Sequence, residues 1–169
     1  MRKLSDISVT NKTVALRADL NVPIKEGIIL DDSRIEAVIP TVKYLLTKNC
    51  KIILMSHFGR PKAGTFDPQA SLQTIARRIG EMLNQEVDFI SAIKDVKFKS
   101  TISLLENTRF LIGELENNEE LSKNLGSMAE VYVFDAFGTA HREQASTFGA
   151  IYQANVSCAG LLLEAEIEA

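Results

Sequence analysis

Four short segments combine cationic, amide and acidic side chains: RADLN (17–21), SHFGRPK (56–62), ENTRF (106–110) and DAFGTAHR (135–142). Of the eight arginines in the chain, Arg17, Arg60, Arg109 and Arg142 fall one in each, and Arg34 follows the first in DDSRIEA (31–37). The planar fork of arginine binds carboxylate or phosphate bidentately, so this set fits a small, multiply anionic ligand. Two unit charges about 4 Å apart interact by roughly 1–4 kcal/mol at effective dielectrics of about 80 to 20, so gathered arginines need counter-ions. Asp19, Glu106 and Asp135 supply some of that compensation, and a ligand would supply the rest. Arg34 lies near a predicted helix N-terminus, where free N–H groups already favour anions. Asp19 and Asn21 are suited to reading a hydroxyl on the same ligand, and Gly59 and Gly138 to letting it approach the backbone.

Other readings of the same residues stay open. Arg17 with Asp19, Glu106 or Asp135 also fits a structural ion-pair network, and Glu106 and Asp135 read as orienters of arginines rather than catalysts. His141 reads as a packed or hydrogen-bonding ring. No Ser or Cys nucleophile has a His and Asp in a sensible context, and two histidines without paired cysteines argue against structural zinc. No GxGxxG or Walker A sequence occurs, so no cofactor-binding or metal residues are assigned.

Each segment follows a short apolar run that must position it: TVAL (13–16), KIILM (51–55), TISLL (101–105) and VYVF (131–134), with VDFI (87–90) as a fifth. The runs do not alternate, which predicts strands buried on both faces of a parallel sheet. Helical spacing fills 33–49, 71–83 and 117–130. The first should open with a capping box of Ser33 and Glu36, and Pro40 should kink it. Strands alternating with helices predict an α/β three-layer sandwich with a Rossmann-like parallel sheet, one domain over 1–169. Ligands of such sheets bind beyond the carboxyl ends of the strands, where all four segments would meet.

The 169 residues carry a net charge of −3 and are 46% hydrophobic, which gives no reason to expect nucleic-acid or acidic-membrane partners. Cys50 and Cys158 read as buried, reduced thiols, which suits a cytoplasmic location. LLLEAEIEA (161–169) begins a helical pattern and stops, as a piece of a longer chain would.

RADLNVPI (17–24), DDSRIEA (31–37), SHFGRPKAG (56–64), LLENTRF (104–110) and DAFGTAHREQAST (135–147) together resemble the phosphoglycerate kinase family in order and spacing. The resemblance covers essentially the whole chain but only the N-terminal, 3-phosphoglycerate-holding half of the family. It implies that Asp19 and Asn21 hold the hydroxyl and carboxylate end of the substrate. It implies that Arg34 is catalytic, stabilising the phosphoryl group in flight, and that His57, Arg60, Arg109 and Arg142 bind the substrate. The implied reaction, in glycolysis and gluconeogenesis, is reversible phosphoryl transfer between 1,3-bisphosphoglycerate and Mg-ADP. Mg-ATP and Mg-ADP would bind the C-terminal nucleotide-binding domain, which is not in this sequence, so the chain alone is expected to be inactive and monomeric. Phe58 replaces a more usual leucine, and Glu143 is placed to neutralise Arg142 in part. The alternatives are a stand-alone phosphometabolite-binding module and a purely structural domain.

Overall fold

The computed structural model describes residues 1–169. Its strands are Thr13–Ala18 (β1), Ile24–Lys25 (β2), Ile28–Ile29 (β3), Lys51–Met55 (β4), Asp88–Ile90 (β5), Ile102–Leu105 (β6), Val131–Asp135 (β7) and Ser157–Ala159 (β8). Its helices are Ser33–Thr47 (α1), Gln73–Leu83 (α2), Glu119–Gly126 (α3), Ala150–Gln153 (α4) and Leu161–Glu168 (α5). Six strands form one sheet in the order β5-β6-β4-β1-β7-β8. Every pairing in it is parallel. Strands β2 and β3 make a separate antiparallel hairpin.

The apolar runs do not alternate because both faces of the sheet are covered. Val14, Leu16, Ile52, Leu54 and Val133 share one core with Val38, Val42 and Leu45 of α1 and Ile75 and Ile79 of α2. Ala15, Ile53, Met55 and Tyr132 point the other way, onto Leu121 and Leu125 of α3 and Ala150 of α4. The result is the expected three-layer α/β sandwich with a Rossmann-like parallel sheet. Phe58 is buried in the first of these cores, so the ring serves packing.

Several local expectations differ. Strand β1 runs on to Ala18, which brings Arg17 into the sheet with no exposed surface. The capping box at α1 does not form: the helix has Asp32 at its N-cap without a side-chain bond, and the Ser33 N–H donates to Asp31 Oδ1 at 2.9 Å. Asp31 thereby makes the turn that Ser33 was expected to make. Helix α1 runs as one element through Pro40, the position of the expected kink. Helix α3 is shorter than its pattern and is capped by Asn118, whose Oδ1 accepts from Leu121 N–H at 2.9 Å. Cys50 and Cys158 are free and buried. No helix is long and apolar enough to cross a membrane.

Candidate functional site

Strands β1, β4, β6 and β7 are adjacent and parallel, so the loops after them gather at one edge of the sheet. Polar side chains inside the motifs tie these loops together. Ser56 accepts from Leu20 N–H at 2.9 Å and donates to the His57 carbonyl at 2.8 Å. Asn21 Oδ1 accepts from Gly59 N–H at 3.0 Å. Asn107, 1% exposed, donates to the carbonyls of Phe58 (2.6 Å) and Ala70 (2.9 Å) and accepts from the N–H groups of Phe58 and Arg109 (both 3.0 Å). Gly59 sits at φ +61°, a conformation that glycine adopts without the usual penalty. No neighbouring atom lies within 4 Å of the place its Cβ would take. The turn therefore presents open backbone to the site.

His57 forms the floor, with the fully buried Arg17 behind it. The Arg17 Nε donates to Ser146 Oγ at 2.8 Å, one Nη donates to the Ala18 carbonyl, and the other lies 3.1 Å from His57 Nδ1. Burial, followed by the charges of Arg17, Arg109, Arg142 and Arg34, pushes His57 down to about 3, so the ring is neutral near pH 7.

Above this floor lies a cavity of about 470 Å³ bounded by Asn21, His57, Gly59, Arg60, Pro61, Arg109, Leu115, Arg142 and Gln144. No carboxylate lines it. The ion pairs of the chain are Lys3–Glu168, Arg34–Asp19, Arg78–Asp32 and Arg78–Glu81, so Arg60, Arg109 and Arg142 have none. Arg109 donates to the Gly59 carbonyl at 2.6 Å, while its buried Nε lacks a partner. Burial and then the neighbouring Arg142 and Arg17 charges lower the Arg109 pKa, against the opposing charge of Glu114. Such a cavity is suited to a small anion with several oxygens.

A scan of family models matches the phosphoglycerate kinase model over residues 4–169. The chain belongs to the phosphoglycerate kinase family. It is 47% identical to the phosphoglycerate kinase of Desulfovibrio desulfuricans over 168 residues, covering 99% of this chain and 43% of that protein. It is 45% identical to the phosphoglycerate kinase of Francisella tularensis subsp. holarctica, covering 98% of this chain and 43% of that one. Among solved structures, the phosphoglycerate kinase of Coxiella burnetii matches with a TM-score of 0.95 at 41% identity, over 99% of this chain and 43% of the other. The enzyme of Pyrococcus horikoshii OT3 matches with a TM-score of 0.84 at 36% identity, over 99% and 44%. The chain thus spans 43% of the length of the curated relatives it matches.

Of the residues that the phosphoglycerate kinase resemblance singled out, Asn21, His57, Arg60, Arg109 and Arg142 meet round the cavity. Asp19 and Arg34 stand beside it as a pair 3.5 Å apart, and Arg34 also donates to the Asn21 carbonyl at 2.9 Å. Three expectations are corrected. Glu106 orients no arginine; it accepts from Ser71 Oγ (2.7 Å) and the N–H groups of Leu72 and Asn107 (both 2.9 Å), which fixes the start of α2. Asp135 accepts from Thr41 Oγ at 2.5 Å and Leu163 N–H at 2.8 Å, which fixes the start of α5, and burial raises its pKa. Glu143 makes no ion pair with Arg142. The carboxylate that answers Arg17 is Glu114, through Ser146, and no local sequence pattern marks it. It lies in the acidic run GELENNEE (113–120).

Proposed function

We propose that this chain is the 3-phosphoglycerate-holding part of a phosphoglycerate kinase, acting in reversible phosphoryl transfer between 1,3-bisphosphoglycerate and Mg-ADP. The observation that carries the reading is the cavity bounded by Arg60, Arg109 and Arg142 with no carboxylate in its lining. These arginines and the His57 ring hold the anionic groups of the substrate. Asn21 and the neighbouring Asp19 take its hydroxyl and carboxylate end. Arg34 is the catalytic residue: half-exposed and held only by Asp19 and the Asn21 carbonyl, it is free to turn towards a phosphoryl group in flight. Phosphoryl transfer depends mainly on positioning and charge stabilisation, which arginines supply without a nucleophile.

The nucleotide and its Mg²⁺ are substrates assigned to sequence that the relatives have and this chain does not span. The chain has no glycine-rich phosphate loop, and no group of three or more His, Cys, Asp or Glu side chains is placed to hold a metal ion. We accordingly expect the 169-residue chain to bind substrate without turnover, as a cytoplasmic monomer. The two buried free thiols support a reducing compartment.

Thermal unfolding with 3-phosphoglycerate or sulfate at equal ionic strength tests the reading. The phosphoglycerate should raise the midpoint more than sulfate does. Arg142→Ala and Arg60→Ala should each weaken binding about tenfold or more, the equivalent of the roughly 1.5–3 kcal/mol in a charge-assisted hydrogen bond. Equal shifts with both anions, or unchanged affinity in both variants, would remove the cavity as the substrate site.

A further inference from the structure

Glu114 is a fully buried carboxylate that none of the proposed substrate contacts uses. Ser146 engages both of its oxygens: Oε1 accepts from the Ser146 N–H at 2.7 Å and Oε2 from the hydroxyl at 2.6 Å. With its one O–H donated to Glu114, the hydroxyl can only accept from Arg17 Nε, at 2.8 Å. Arg17 in turn faces His57 Nδ1 through Nη2 at 3.1 Å. A guanidinium carries donors and no acceptor, so Nδ1 must accept and the ring proton must sit on Nε2. His57 is 3% exposed but lines the cavity, and Nε2 is the ring nitrogen that no protein group occupies.

We propose that Glu114, Ser146 and Arg17 are positioning residues that hold His57 as an Nε2–H donor aimed at the anion in the cavity. The identity of that anion rests on the reading above, whereas the tautomer is set by the chain alone. Each link carries direction as well as contact. The carboxylate accepts the hydrogen bond of the serine hydroxyl, the serine oxygen then accepts from and orients the guanidinium, and the guanidinium excludes a proton from Nδ1. Arg17 faces the ring from β1, Arg109 from the loop after β6, Arg142 from the loop after β7 and Arg34 from α1, all cations. Burial opposes a protonated ring most and the charges of Arg17 and the other arginines oppose it next, which holds the ring down to about 3; such a ring would also lose its acceptor towards Arg17. His57 therefore contributes a fixed dipole to anion binding and leaves net charge to the arginines.

The sequence has two histidines, and His141 is exposed, so ring nitrogen NMR of the 169-residue chain resolves the point with His141 as the control signal. Without ligand, His57 should show protonated Nε2 and unprotonated Nδ1, unchanged between about pH 8 and about pH 5. An Nδ1–H tautomer, or a His57 ring that titrates in that range, overturns the proposal. Calorimetric titration with 3-phosphoglycerate adds a second measurement. Ser146→Ala should weaken binding about tenfold in the wild-type background and less than about twofold in His57→Ala, because the serine acts through the ring. Equal losses in both backgrounds would make Ser146 merely structural and refute the relay. If Ser146→Ala fails to fold, the wild-type tautomer still decides. If the ring is the Nε2–H form and 3-phosphoglycerate does not bind, the substrate reading fails and the relay stands.

Discussion

Asn107 shows how a single side chain can hold a site without touching its cavity. Its amide makes four hydrogen bonds, all to backbone groups, and clamps the SHFG turn to the loop that carries Arg109. Asn107→Ala would leave buried N–H and C=O groups without partners, at a cost of about 1–3 kcal/mol for each group that water cannot reach. We expect a loss of about 2–4 kcal/mol in urea unfolding, with weaker anion binding because Arg109 loses its tether. A variant within about 0.5 kcal/mol of wild type would show that the loops are held elsewhere. The cavity-lining cations were legible in the sequence because each follows a buried strand, and strand ends of parallel sheets meet. Glu114, Ser146 and the clamp of Asn107 were not. Apart from the Arg109 N–H, two positions from Asn107, their partners lie 32 to 129 positions away, and no local pattern encodes a pairing set by the closed fold.

At the scale of elements, the central strands were readable because burial on both faces leaves uninterrupted apolar runs. Strand β8 and the β2–β3 hairpin were missed. Three residues such as Ser157–Ala159, or two per strand in the hairpin, are too few for periodicity to register. Pro40, where a kink was expected, lies inside α1, and the helix continues past it. It lacks the N–H that would reach the Glu36 carbonyl, and it is exposed, so its packing contributes little. Pro40→Ala would restore that bond and the better helix propensity, offset by the greater freedom of the unfolded chain. We predict a gain of about 1–2 kcal/mol, read as a higher urea midpoint at unchanged slope. A loss would mean that the local geometry of α1 depends on the proline.

At the scale of the whole molecule, a chain of net charge −3 collects unpaired cations at one edge of its sheet, and burying a neutral histidine among them couples folding to pH. The folded His57 titrates at about 3 against 6.5 for the free side chain. Between those values the unfolded state binds a proton that the folded state refuses, so stability rises with pH through the window. The contribution is complete above about pH 6.5 and is lost progressively as the pH falls towards about 3. Asp135 works in the opposite sense at the acidic end. Its folded pKa is raised by burial, so its contribution is full below the unfolded value and is lost as pH rises through the folded one. The cleanest range for His57 is therefore about pH 7 down to about pH 5, above most carboxylate titration. Urea unfolding there should show wild-type stability falling by up to about 1.4 kcal/mol per pH unit below 6.5 from this ring. His57→Gln, which cannot titrate, should have a profile flatter by that amount. Parallel profiles for the two proteins would mean that His57 takes up its proton in the folded state as it does in the unfolded one, and that neither burial nor the cations at the sheet edge hold it neutral.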